Sequence, residues 1–164
     1  FRRGIMKNRK RGFSLVELLI VLAVIAALIA TITPVALNAI RKSKATQVAQ
    51  NLKTLASAFE NKLYVDGVKN IPSDLASYGR DIDKSKYGLA YYGSGGDYTA
   101  VVWSIDSVSD QVETLLPNAK YTETNLTVND LKTLAGVTTL TSIHSPNGEA
   151  SGITTYYIFN MTVY

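Results

Sequence analysis

The sequence contains no cysteine, so it can build neither a disulfide framework nor a thiolate metal site. It has a single histidine, His144, in a turn-rich stretch without a neighbouring nucleophile or orienting group. That pattern reads as a surface loop residue and not as a catalytic base. The glycine-rich stretch Gly93-Ser94-Gly95-Gly96-Asp97 has no Lys-Ser/Thr after it and opens no helix, so it reads as a turn and not as a phosphate cradle. Asp81 and Asp83, with Asp74 nearby, supply too few oxygen ligands at defined spacing for a calcium loop. Asn125-Leu126-Thr127 and Asn160-Met161-Thr162 fit the glycosylation triplet, which is too short to assign a glycan. The chain is therefore read as a non-enzyme, and no cofactor or metal is assigned to it.

Acidic residues are absent from the first twelve positions, which hold Arg2, Arg3, Lys7, Arg9, Lys10 and Arg11. Without these six cations the net charge of +4 becomes −2. The basicity thus belongs to the N-terminal tip, and its position before an apolar run fits membrane topology better than nucleic acid. Leu18 to Ala30 has no polar side chain, and Leu18 to Leu37 is interrupted only by Thr31, Thr33 and Pro34. As a helix this stretch is about 30 Å long, the thickness of the hydrocarbon core. The heavier positive flank, which outweighs Arg41, Lys42 and Lys44, places the N-terminus on the cytoplasmic side. No two alanines between Leu18 and Ala45 stand two positions apart, which argues against an ordinary signal-peptide cleavage site.

A plain anchor leaves Glu17 unexplained. A carboxylate at the mouth of an apolar span is costly and calls for a cationic partner. Pro34 is the second informative position, because it removes the hydrogen bond to the carbonyl of Ala30. The hydroxyls of Thr31 and Thr33 are the candidate replacement donors.

Lys10-Arg11-Gly12 followed by Phe13-Ser14-Leu15-Val16-Glu17-Leu18-Leu19-Ile20-Val21 resembles the processing site of type IV prepilins and pseudopilins. The resemblance covers about residues 6–64. It implies cleavage by a prepilin peptidase between Gly12 and Phe13, N-methylation of Phe13, and an assembly role for Glu17. It implies a helix that kinks or melts around Pro34 as subunits pack. Met6 to Gly12 alone would form a complete short leader, so residues 1–5 are candidates for sequence upstream of the true start.

Beyond the span, Ala45, Val48, Ala49, Leu52, Leu55, Ala56, Phe59 and Leu63 recur at spacings of three and four, one apolar stripe of an amphipathic helix. One helix is expected from about Ser14 to Tyr64, with Gly67 as its stop. A short turn capped by Ser73 should follow, ended by Gly79. Leu89–Tyr92 and Tyr98–Ser104 read as a hairpin, Asp110–Leu116 and Asn129–Ala135 as short helices with Thr127 or Asn129 as the second cap, and Val137–Ile143 and Ile153–Tyr164 as strands. Thr155, Tyr157, Phe159, Met161 and Val163 should face the helix.

The expected fold is α+β, of the type IV pilin kind: a long kinked N-terminal helix packed on an antiparallel sheet of about four strands. The expected division is a cleaved leader at 1–12, a membrane or filament-core half-helix at 13–38, an amphipathic half at 39–66 and a head at 67–164. The resemblance implies a homopolymer that starts in the inner membrane and ends as a surface filament. Its partners are the peptidase, an inner-membrane platform protein and an assembly ATPase, with nucleic acid entering only through the assembled filament. The alternatives are a pseudopilin of a type II secretion system and a membrane-anchored binding domain that never polymerises.

Overall fold

The computed structural model describes residues 14–106, 108, 110–146 and 151–163. Helix α1 runs over 52 residues, Leu15–Asp66, with Pro34 inside it. The chain divides into two compact units, residues 1–40 and 41–164.

In the first unit, every described residue is exposed, from Ser14 to Ile40. The exposed side chains include Leu18, Leu19, Ile20, Leu22, Val24, Leu28, Ile29 and Ile32. Such a surface is stable only when another apolar medium covers it. Thr31 Oγ1 donates to the Leu28 carbonyl at 2.9 Å, and Thr33 Oγ1 to the Ile29 carbonyl at 2.8 Å. Neither hydroxyl turns to the carbonyl that Pro34 leaves without a donor, contrary to the expectation. A threonine hydroxyl in a helix reaches the carbonyl three or four residues back; Ala30 is only one residue before Thr31, and Thr33, which stands three residues after it, bonds four back to Ile29 instead.

In the second unit, the part of α1 beyond Ile40 buries Ala45, Val48, Ala49, Leu52, Leu55, Ala56, Phe59 and Leu63, the whole of the expected stripe. The helix packs on strands β1 (Tyr87–Ser94), β2 (Asp97–Ser104), β3 (Ala119–Leu126), β4 (Thr141–His144) and β5 (Ile153–Thr162). All four pairings are antiparallel, in the order β3-β5-β2-β1-β4. The sheet thus has five strands, one more than expected. The additional one is β3, between helices α2 (Gln111–Leu115) and α3 (Val128–Ala135). The strand from 137 also shortens: pairing begins only at Thr141 and extends to His144.

Strand alternation sends the two faces of the sheet to different cores. Leu89, Ala100, Val102 and Met161, with the part-buried Tyr91, Tyr157, Phe159 and Val163, pack with α1. Phe59 is the aromatic centre of that core, with ring centroids 5.6 Å from Tyr91, 6.0 Å from Tyr78 and 6.4 Å from Phe159. On the other face Ala90, Val101, Trp103, Leu131 and Ile153 form a second, smaller core under α3. Asn51 Nδ2 donates to the Tyr87 hydroxyl at 3.1 Å, a polar tie between α1 and β1.

Local chemistry explains the joints. The β1–β2 turn is tighter than the five residues expected, because pairing continues to Ser94 and Asp97 and leaves only Gly95 and Gly96. Their φ values of 61° and 93° suit the two-residue hairpin turn that matches strand twist. The turn at Leu75–Ser77 is capped by Asp74 and not by Ser73, since the Asp74 side chain accepts from Ala76 N. Thr127 caps α3 through a reciprocal pair with Asp130, and Gly136 at φ 72° closes the helix.

Candidate assembly site

The N-terminus of α1 is built by two residues. Ser14 stands just before the helix, and Glu17 is the acidic residue of its first turn. Ser14 Oγ accepts from Glu17 N at 3.2 Å, and a Glu17 carboxylate oxygen accepts from Ser14 N at 3.2 Å. This exchange satisfies two of the backbone donors that a helix start leaves open. The negative charge also sits at the positive end of the helix dipole.

Glu17 was expected to need a cation. Within the chain it accepts the Ser14 backbone N–H. The ion pairs among the described residues are Lys62–Asp66, Lys84–Asp74 and Lys86–Asp106, and Glu17 is in none of them. The carboxylate is exposed, and an ionised carboxylate has acceptor sites beyond the one that the Ser14 N–H takes. Serine followed three residues later by glutamate before an apolar run is itself a helix-start signature. The signature is masked in the sequence because the same glutamate stands at the mouth of an apolar span, where its charge is the larger signal. Gly12 and Phe13, the expected cleavage pair, lie outside the described residues. Pro34 lies in α1 as expected, away from Glu17 in sequence, and the two form no common site.

The other candidates resolve into structural roles. His144 ends β4 instead of lying in a loop, and its Nε2 is 2.7 Å from the Lys84 carbonyl, which ties the edge strand to the connecting segment. Lys84 in turn holds the Asp74 carboxylate at 2.7 Å, which together with the Ala76 N–H keeps that carboxyl below the usual range. The Asp83 carboxyl is lowered by the Ser85 hydroxyl and N–H. Asp81, Asp83, Lys86 and Asp106 border a cleft of about 100 Å³ with Gln47, Asn51 and Tyr87, where Lys86 neutralises Asp106 at 3.6 Å. No group of three potential metal ligands occurs among the described residues. Asn160 accepts from Thr99 at 2.7 Å within the sheet, and the Thr127 hydroxyl beside Asn125 is engaged by Asp130.

Residues 7–33 match the family model described as the prokaryotic N-terminal methylation motif. No curated protein and no solved structure matches the chain. The motif is the type IV pilin and pseudopilin signal, and the long helix on an antiparallel sheet is the architecture of that class. A precursor of a type IV pilin or pseudopilin is what the motif supports. It implies processing by prepilin peptidase and assembly into a pilus or pseudopilus.

Proposed function

We propose that this chain is a structural subunit of a type IV pilus filament. Cleavage after Gly12 makes Phe13 the new N-terminal residue, which is then methylated. Residues 1–12 are the leader, 13–38 the membrane and filament-core half of the helix, 39–66 the amphipathic half and 67–164 the head. Before cleavage the basic tip holds the N-terminus in the cytoplasm. After assembly the same apolar surface packs against other copies, and the filament lies outside the cell.

One observation carries this reading. The methylation motif, residues 7–33, extends into the apolar start of a helix, and every described residue from Ser14 to Ile40 is exposed. Membrane lipid covers that surface in the precursor, and neighbouring copies cover it in the filament. The driving force is non-directional burial, roughly 25 cal/mol per Å² of apolar surface removed from water. Register must then come from a polar contact. The amine created at Phe13 and the Glu17 carboxylate of a neighbour form such a pair. A mismatched copy buries an unpaired charge, which costs roughly 3–5 kcal/mol. Pro34 is where the helix bends or melts as copies pack, since its turn already lacks one hydrogen bond. The platform protein and the ATPase supply the work, because the chain itself carries no motor.

The test is electron microscopy of sheared surface filaments with mass spectrometry of their subunit. A methylated Phe13 as the first residue of a filament protein is the expected result. A membrane-bound monomer that retains residues 6–12 would overturn the reading. Recovery only in short assemblies that require a secretion apparatus would place the chain among pseudopilins.

A further inference from the structure

Charge in the middle of α1 is of one sign. From Leu18 to Phe59 the helix carries Arg41, Lys42, Lys44 and Lys53 and no carboxylate. Ile40 is the last large residue of the exposed apolar run, and Ala45 is the first residue of the helix buried in the core. Arg41, Lys42 and Lys44 occupy the single turn between them, all exposed, and none joins an ion pair among the described residues. At about 100° per residue, the three side chains fan over roughly 160° of the circumference. They form part of a ring and not a stripe.

The axial arithmetic gives this ring its place. Leu18 to Ile40 extends about 34 Å along the helix axis, which an ordinary tilt fits to a hydrocarbon core of about 30 Å. The next four residues rise about 6 Å. A bilayer of about 40–45 Å in total leaves a head-group layer of roughly 5–7 Å on each side. The three cations fall within that layer, while Lys53, more than two turns further along, lies beyond it. Their aliphatic stems can lie on the apolar boundary while the charged ends reach phosphate.

We propose that Arg41, Lys42 and Lys44 form a basic collar that binds the head groups of anionic phospholipids where the helix leaves the membrane. The inference rests on the reading of Leu18–Leu37 as a membrane span. The collar fixes the depth of the precursor and surrounds it with acidic lipid. A subunit entering the filament must release those lipids, so lipid composition becomes a control on extraction.

The absence of cysteine allows a clean test, since Ser43→Cys on the full chain provides a unique site for a fluorescent label in the collar. The labelled protein is reconstituted in phosphatidylcholine vesicles containing equal mole fractions of head-group nitroxide lipid, either phosphatidylglycerol or phosphatidylcholine. Quenching by the anionic quencher is expected to indicate about threefold enrichment over the zwitterionic one, consistent with attraction of basic residues to anionic surfaces. The preference should fall to parity in the Arg41→Gln/Lys42→Gln/Lys44→Gln variant and in high salt, and should persist in Lys53→Gln. Equal quenching by both lipids in the unsubstituted collar would overturn the proposal and leave the span intact. No quenching by either lipid would mean that the helix is not inserted, and the span reading itself would fail. Loss of the preference with inorganic phosphate, but not with sodium chloride of equal ionic strength, would identify a phosphate site in place of a lipid collar and would also overturn it.

Discussion

Ser14 and Glu17 hold each other: each side chain accepts the other residue's backbone N–H at 3.2 Å. The carboxylate expected to recognise a neighbouring subunit is thus already in use at its own helix start. The observed helix-start contact and the proposed assembly role can be separated by substitution. Glu17→Gln keeps an acceptor for the Ser14 N–H but removes the charge. Helix content and processing are expected to be unchanged, while filament yield falls by an order of magnitude or more. Filaments at normal yield from Glu17→Gln would show that capping alone is the role of this residue.

Ser14→Ala removes the other half of the exchange. Loss of a serine cap costs about 1 kcal/mol, which corresponds to roughly fivefold faster opening of the first turn. Hydrogen exchange at the Glu17 and Leu18 amides in detergent should accelerate by that factor, with no change beyond the second turn.

Phe59 anchors α1 to the sheet through Tyr91 and Phe159 and, through Tyr78, to the segment that connects helix and sheet. Phe59→Ala should destabilise the head by about 3–5 kcal/mol, and Phe59→Leu by clearly less. Denaturant titration of the full chain in detergent, followed by tyrosine and tryptophan emission, measures both. Insertion into membranes should be unaffected, because the exposed segment up to Ile40 does not use this core.

Gly88 lies under the Trp103 indole, and a Cβ at position 88 would stand 2.1 Å from that ring. Trp103 is fully buried, so the ring has nowhere to withdraw without repacking the smaller core. Gly88→Ala is expected to cost about 1–3 kcal/mol through overpacking. Trp103 is the sole tryptophan, so a red-shifted emission maximum would report its displacement directly.

Stability should also fall at alkaline pH. Burial pushes the Tyr78 hydroxyl up to about 12 from its ordinary 10.0, and burial likewise raises Tyr87. A phenol that ionises later in the folded state than in the unfolded one holds its proton longer when folded. Its contribution is complete below pH 10 and is lost as pH rises towards 12. The denaturation midpoint should therefore decline between pH 10 and pH 12. The decline should be shallower in Tyr78→Phe, which also loses the 2.8 Å bond to the Pro72 carbonyl.

Much of this was legible in the chain because one physical signal dominated each part. The helix stripe was read in full, since burial against a sheet enforces a strict 3.6-residue period. The β1–β2 hairpin and β5 were read because they are central strands rich in aromatic and β-branched residues. β3 was not, because Lys120, Thr122, Glu123, Thr124 and Asn125 give an edge strand little apolar alternation. Its pairing with β5 holds at Ala119–Tyr121 and again only at Leu126, so the ladder itself is irregular. The short β4 shares this fate, with a register shift at Leu89/Ala90. At the candidate site the serine cap was written in the sequence, whereas the direction taken by the Thr31 and Thr33 hydroxyls depends on helix geometry.

Those two hydroxyls have one more consequence. They are the only polar side chains between Leu18 and Leu37, and both spend their protons on carbonyls of their own helix. The side chains of that segment therefore offer a neighbour no proton to share, and its acceptors are confined to the turns around Pro34. In the proposed filament, copies meeting along it mainly through non-directional apolar contact would slide or turn past one another with little change in energy, as greased rods do. A polymer built on such contacts can lengthen under load without rupture, provided the contact at the tip of each rod holds.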